Sequence, residues 1–242
     1  MFDQPTVVLT GASAGIGLAA LEALMEGAFV VAVSRTRPSL PHLNGYWMPG
    51  DLREPEAVAS DLCALLLAQK RPLDGLIHNA VSYGAARRHP FLDTTDSEWD
   101  EVMTVNARSQ FILTTRLLPL LLQRPKAFIV SLTSDVATQP APQRIAYGCS
   151  KAASHALFAG LAAELTESPV SVIQMLPSKQ VVTRGIRCRR PPDFEFTGYS
   201  SPEIFKQPLK EILDCRGAGL NGACLSIGET NLEGHAAIVE DQ

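Results

Sequence analysis

Short apolar runs alternate along the chain with longer stretches whose apolar residues recur every three or four positions. The run TVVLT at 6–10 ends in a glycine-rich turn and reads as a buried strand. Helical spacing covers 15–27 and stops at Gly27, a residue type that terminates helices. FVVAVS (29–34) and YWMPGD (46–51) predict the next two strands, and 55–69 a helix with Pro55 in its first turn. Beyond them come a strand at 74–80, a long helix over 97–122 and a strand at 127–134. A helix over 144–168 and strands at 170–177 and 223–227 complete the pattern. This alternation predicts βαβ units: an α/β, Rossmann-like doubly wound parallel sheet of about seven strands, with helices on both faces. No linker divides the chain, so 1–242 reads as one domain. The irregular stretch near 177–205 is rich in Pro, Ser and Arg and predicts a substrate-binding lid at about 178–208.

The turn LTGASAGIG (9–17) joins the first strand to the first helix. Glycines at 11, 15 and 17 permit a tight turn and let a pyrophosphate approach backbone N–H groups at a helix N-terminus. Their spacing is GxxxGxG, not the GxGxxG of the general dinucleotide fingerprint. The same residues spell GASAG, a match to the nucleophile elbow of serine hydrolases with Ser13 as nucleophile. Position argues against that reading. The elbow follows several strands, because an earlier loop must complete the oxyanion hole, and only ten residues precede Gly11.

A second motif is Tyr147 with Lys151, four residues apart and so on one face of a helix. Alone, such a pair is most often an amphipathic helix with a snorkelling lysine.

Composition narrows the choices. Hydrophobic content of 46% with 19% charged residues suits a soluble globular protein with a large core. A net charge of −4 gives no basic footprint for nucleic acid. Five scattered cysteines without a CxxC read as reduced thiols in a cytoplasmic protein. The first residues lack the features of a signal peptide, and no apolar run is long enough to span a bilayer. The histidines form no paired ligand motif, so no metal is expected.

Taken together, the motifs resemble the short-chain dehydrogenase/reductase family, in its single-domain subclass of about 250 residues. Besides the glycine turn and the Tyr–Lys pair, HNA (78–80) looks like its NNAG segment and WDEVMTVN (99–106) like the segment ending in its catalytic asparagine. IVSLTS (129–134) looks like its catalytic-serine strand: Ser134 lies thirteen residues before Tyr147, the usual family spacing, and Ser131 does not. GLNGACLSIG (219–228) resembles its last strand. The resemblance implies reversible carbonyl/alcohol redox by hydride transfer, with Tyr147 exchanging a proton with the substrate oxygen. Ser134 would hydrogen-bond that oxygen. Lys151 would lower the tyrosine pKa and bind the nicotinamide ribose, and Asn106 would hold a water linking Lys151 to solvent. A cation about 4 Å from a phenol at an effective dielectric of about 20 favours phenolate by about 4 kcal/mol before desolvation opposes it. That would bring Tyr147 toward working pH. Structural alternatives are Asn106 satisfying backbone groups within its helix and Ser134 capping the strand end.

Implied cofactor contacts are Gly11, Ser13, Ala14, Gly15, Ile16 and Gly17 in the turn, Asp51 and Leu52 at the adenine, and Asn79 and Ala80 after the fourth strand. Tyr147, Lys151, Pro177 and Thr183 would face the nicotinamide end. Ser34 stands where NAD-dependent members carry Asp, and Arg35 follows it. The absence of a carboxylate and the presence of a guanidinium predict NADP(H) over NAD(H). Arg35 also reads as a solvated surface charge, and Ala14 lacks the second basic residue of many NADP-dependent members.

Three departures from the family pattern stand out. Val81 replaces the glycine of NNAG, PSKQVVT (177–183) replaces PGxVxT with Ser178 for glycine and Thr183 one residue late, and SIGET ends the last strand. Lys179 reads either as a solvated lid charge or as a contact to an acidic substrate group. Arg184, Arg187, Arg189 and Arg190 suit an anionic substrate, including a phosphopantetheine-carried acyl group, or form a solvated charge run. Phe194, Phe196 and Tyr199 either line a pocket or pack the lid. The expected partner is thus a small carbonyl or alcohol, with assembly into a homotetramer or homodimer through a face that includes the tail 229–242. The competing reading is a catalytically impaired member serving as dinucleotide sensor or scaffold.

Overall fold

The computed structural model describes residues 4–85 and 88–228. Its strands are β1 (Thr6–Thr10), β2 (Phe29–Ser34), β3 (Gly45–Pro49), β4 (Gly75–His78), β5 (Ala127–Leu132), β6 (Val170–Pro177) and β7 (Cys224–Ile227). All pair in parallel, in the order β3-β2-β1-β4-β5-β6-β7. The helices are α1 (Gly15–Leu24), α2 (Pro55–Ala68), α3 (Asp96–Met103), α4 (Ser109–Leu121), α5 (Ile145–Glu164), α6 (Arg184–Arg187) and α7 (Lys206–Cys215).

The apolar runs lack a polar alternate because both sheet faces are covered. Side chains still alternate between faces along each strand. Val7 and Leu9 join Leu21, Leu24, Leu209 and Ile212 on the α1/α7 side, whereas Val8 and Val31 join Leu62, Leu113, Leu117 and Phe158 on the α2/α4/α5 side. Two cores result, one on each face of a single sheet.

Two local features depart from the sequence reading. The predicted helix over 97–122 begins one residue earlier at Asp96 and is interrupted by a π-helical turn, Thr104–Arg108, between α3 and α4. The irregular stretch contains α6, a bridge between Val181 and Ser200, and a 3-10 turn at Pro202–Phe205. It then ends in α7, which the sequence reading left without an element. Leu209, Ile212 and Leu213 of α7 are buried, each contributing about 2 kcal/mol of apolar transfer. The irregular stretch expected to form a lid therefore stops at about residue 205, before α7. The tail 229–242 lies outside the described residues.

Strand order reverses between β1 and β4. In a doubly wound sheet this leaves a crevice beyond the carboxyl ends of these strands, the favoured place for a ligand. Thr10, His78, Leu132 and Pro177 all end on that side, and the singled-out residues follow them in sequence.

Candidate active site

The glycine turn is shaped first by the chain itself. Gly11 has φ +72°, and a Cβ there would lie 2.7 Å from Ala80 Cα. A Cβ on Gly17 would lie 2.0 Å from the Gly11 carbonyl oxygen. These glycines let α1 and the end of β4 close on the turn. Gly15 has φ +57° and a Cβ there would approach Thr183 at 3.1 Å, so the glycine turn and the stretch after β6 are neighbours. Asn79 fixes the same corner: its amide donates to the carbonyls of Thr10 and Gly11, both at 3.0 Å. The N–H groups of Asn79 and Ala80 donate to Thr10 Oγ1. Asn79 is therefore committed to holding the turn.

The turn also has the features an anion needs. α1 has no side-chain cap and no acidic residue in its first turn, so its first N–H groups and its dipole are unneutralised by side chains. Ser13 is half-buried, and Ala14, with extended backbone, is exposed at the N-cap. Ile16 packs against the core from the helix start. At the end of β2, Ser34 is turned inward, donating to the Thr36 carbonyl and accepting from Trp47 Nε1. Arg35 is exposed and lowers the pKa of Asp51 through space. Arg53 dominates that shift, donating to the Asp51 carboxylate, which holds it below its usual range. Leu52 beside it is buried. These residues fit a dinucleotide phosphate: an uncapped helix start at one end, and an exposed guanidinium beside a carboxylate already paired at the other.

Ser134, Tyr147 and Lys151 meet beyond the carboxyl end of β5. Ser134 follows β5 and partners the Tyr147 phenol, while its own hydroxyl donates to Asp135 Oδ1 at 2.7 Å. Tyr147 and Lys151 share the inner face of α5, only 8% and 4% exposed. Lys151 Nζ donates to the Leu132 carbonyl at 2.7 Å, and burial lowers its pKa to about 8. Ser131 points away, into a buried group with Gln110 and Ser154.

One expectation is overturned. Tyr147 was expected to be brought toward neutral pH by Lys151. Its pKa is instead raised, chiefly by burial and then by Tyr83, with Ser134 and Arg144 opposing. The desolvation penalty exceeds the help of Ser134 and Arg144, and the same burial makes the Lys151 ammonium a stronger acid that gives up its charge more readily.

The side chain of Asn106 departs from one of the two readings of it, the satisfaction of backbone groups within its own helix. It is fully buried at the centre of the π-helical turn. Its Oδ1 accepts from the Ser82 N–H and its Nδ2 donates to the Ser82 carbonyl, both at 2.7 Å, with a further bond to Ser150 Oγ. It satisfies backbone groups, but those of the segment after β4 and not of its own helix. That segment carries Val81, the replacement for glycine, half-buried.

The clamp positions a residue that sequence reasoning missed. Tyr83 stacks on Tyr147 with ring centroids 5.1 Å apart. Arg189 of the lid lies over Tyr83 at 3.7 Å, and Arg144 lies 5.3 Å from the Tyr147 ring. A cavity of about 640 Å³ opens here, bounded by Tyr83, Tyr147, Ile145, Ile186 and Arg189 among others. Only the stacking partner of Tyr147 could have revealed Tyr83, and no local pattern carries that signal. Thr183 caps α6, accepting from the Ile186 N–H, and Pro177 closes β6 beside it. Ser178, in place of glycine, donates its N–H to the Ile227 carbonyl and packs against Gly228. Phe194, Phe196 and Tyr199 pack edge-to-face on one another, away from the cavity wall. Lys179 is exposed.

A family model for short chain dehydrogenase matches residues 5–184, most of the chain. The chain belongs to the short chain dehydrogenase family. A short chain dehydrogenase of Pseudocercospora fijiensis is 34% identical over 71% of this chain, and the match spans 58% of that relative's own length. The uncharacterized oxidoreductase YciK of Escherichia coli is 33% identical over 68% of this chain and 69% of its own. The solved short chain dehydrogenase of Salmonella enterica serovar Typhi aligns with a TM-score of 0.78 at 27% identity, covering 92% of this chain and 95% of the other. In this short chain dehydrogenase Ser134 follows β5, and Tyr147 and Lys151 lie on α5. Among the described residues no helix is long and apolar enough to cross a membrane.

Proposed function

We propose that the protein is an NADP(H)-dependent oxidoreductase that interconverts a carbonyl and a secondary alcohol, with Tyr147 as general acid and base. The observation that carries this reading is the convergence of Ser134, Tyr147 and Lys151 at the end of β5, with Tyr147 lining a cavity. When bound, the nicotinamide supplies hydride to the carbonyl carbon or accepts it from the alcohol carbon. In reduction Tyr147 gives its proton to the oxygen that becomes the hydroxyl. Burial keeps the phenol protonated in the free protein, so Tyr147 holds the proton that reduction requires. Lys151, with a pKa of about 8, is placed one helical turn away to return the proton. Ser134 turns from Asp135 to hydrogen-bond the substrate oxygen. Asn106 and Asn79 are positioning residues: they hold the Ser82–Tyr83 segment and the glycine turn.

Preference for NADP(H) is supported by the inward Ser34, the exposed Arg35 and the Arg53-paired Asp51. A related structure supports the cofactor class: a candidate NAD(P) dependent gluconate 5-dehydrogenase of Beutenbergia cavernae, 26% identical, holds NADP at low occupancy. Ser13, Ala14, Gly15 and Ile16 would meet the pyrophosphate, Leu52 and Ala80 the adenine, and Thr183 the nicotinamide end. We place the protein in the cytoplasm, on its five free cysteines, and as a homodimer or homotetramer, with exposed Phe111 on α4 in the contact.

The second reading, a dinucleotide-binding scaffold, draws on the cover that Tyr83 places over Tyr147. One experiment separates them. Purified protein is titrated with NADPH and with NADH, then assayed with a neutral diketone. We expect tighter NADPH binding, turnover, and loss of turnover by about 10²-fold or more in Tyr147→Phe with NADPH binding retained. Binding without turnover establishes the scaffold, and binding of neither dinucleotide overturns both readings.

A further inference from the structure

The cavity beside Tyr147 is walled by four arginines drawn from three parts of the chain. Arg189 and Arg190 come from the lid, Arg88 from the segment before α3, and Arg144 from the entry to α5. Two of these, Arg88 and Arg144, lie outside the lid. Against them stands one lining carboxylate, Glu98, which is already bonded to His89 Nε2 at 2.9 Å and to the Ala85 N–H. Asp135 is nearby, but its Oδ1 is taken by Ser134 and the Val136 N–H. Among the described residues none of the four arginines is in an ion pair.

The cluster is electrostatically unfinished. Burial comes first in lowering the Arg88 pKa, and repulsion from Arg144 and Arg190 adds to it. Arg189 is likewise disfavoured, first by burial and in part by Arg144, with Tyr83 and Tyr147 opposing. Arg189 Nη2 and Arg190 Nε are buried and without hydrogen-bond partners among the described residues. Arg190 does donate through Nη2 to Tyr199 OH, which fixes it on the lid. Like charges held together at partly dry donors are unfavourable unless an anion sits among them.

We propose that the substrate is an oxo or hydroxy compound bearing a carboxylate or phosphate group, bound between Arg88 and Arg144 on the body and Arg189 and Arg190 on the lid. The proposal rests on the oxidoreductase reading and adds to it the substrate class. The geometry also limits the spacing. Arg144 lies 5.3 Å from the Tyr147 ring, and Arg189 lies over Tyr83, which stacks on that ring. With bonds of about 1.5 Å, the anionic group then sits roughly two to four bonds from the reacting carbonyl. Ile145, Ile186 and Pro191 leave an apolar wall for the remainder. An anion shared by both sides also draws the lid onto the body, shielding the reacting carbon from water.

The test compares charged and neutral partners at saturating NADPH, so that the dinucleotide's own anion contacts are filled. Acetoacetate is paired with methyl acetoacetate, and dihydroxyacetone phosphate with dihydroxyacetone. We expect kcat/KM to favour the charged member of one pair at least tenfold, and the pair identifies carboxylate or phosphate as the group. Arg144→Gln and Arg88→Gln should each cut that charged-to-neutral ratio about tenfold, and added salt should cut it too. Arg189→Gln serves as a second variant if either fails to fold. Equal turnover of neutral and charged partners, with a ratio unmoved by the variants, overturns the inference and leaves the oxidoreductase reading standing. If no compound, including the neutral diketone, is turned over, that reading fails. Malonate and inorganic phosphate then decide the inference by thermal shift on the NADPH-loaded protein: a shift lost in Arg88→Gln supports it, and no shift overturns it.

Discussion

Removing the Lys151 ammonium as Lys151→Met tests the electrostatics of the site without any substrate. Lys151 is 4% exposed and burial lowers its pKa from 10.5 to about 8. The folded protein therefore releases this proton before the unfolded chain does. Between those two values the unfolded state holds more protons, so stability rises with pH through that window. From about pH 7.5 to about pH 9.5 the two binding curves give a gain of about 2 kcal/mol. The methionine variant lacks this gain. It also leaves the Leu132 carbonyl without its 2.7 Å donor, but that loss does not vary with pH and only offsets the curve. Tyr147 does not blur the result, because a raised phenol pKa removes stability only above the ordinary tyrosine range. Urea unfolding of both proteins at pH 7.5, 8.5 and 9.5, followed by tryptophan fluorescence, supplies the difference curve. Its slope should be positive and amount to about 2 kcal/mol over the range. Parallel curves would refute the reasoning: the ammonium would then be solvated in the free protein, and the argument that burial governs the charges on this face of α5 would fall with it.

Three further outcomes follow from the same geometry. Gly17→Ala places a methyl 2.0 Å from the Gly11 carbonyl and should cost at least about 3 kcal/mol in urea unfolding, whereas Gly148→Ala on the open side of α5 should be neutral or slightly stabilising. Asn106→Ala removes both bonds to Ser82 and the bond to Ser150, and should cost about 3 kcal/mol while exposing the Ser82 amide to faster hydrogen exchange. His78 is buried, with a pKa lowered to about 3 and a bond to Thr114, so stability should fall as pH drops below its unfolded value of 6.5. At pH 5 the loss is about 2 kcal/mol relative to neutral pH, and His78→Asn should flatten that slope.

Fold and motif were largely legible in the sequence because each rests on local periodicity. Uniform apolar runs identify strands buried on both faces, and the glycine turn must lie between a strand and a helix. Ser134, Tyr147 and Lys151 were picked out by their resemblance to the family's motifs and the spacing between them. α7 was missed because its apolar residues, Leu209, Ile212 and Leu213, follow a Pro- and Arg-rich stretch that masks the start of the period. The π-helical turn was missed because five residues of altered winding leave the apolar pattern intact.

Tertiary structure alone decided the balance at Tyr147. Sequence spacing puts a cation one helical turn from the phenol, but whether that cation or burial prevails depends on how much water the folded chain excludes. Tyr83, Arg88 and Arg144 belong to the same class of fact. They are separated by up to 61 positions and carry no shared motif, and they meet only because β4 and α5 bring their loops to one end of the sheet. The sequence determined that a phenol and a lysine would share one face of a helix and that a glycine turn would join the first strand to the first helix. Which charges surround the crevice, and how dry it is, were settled by long-range packing.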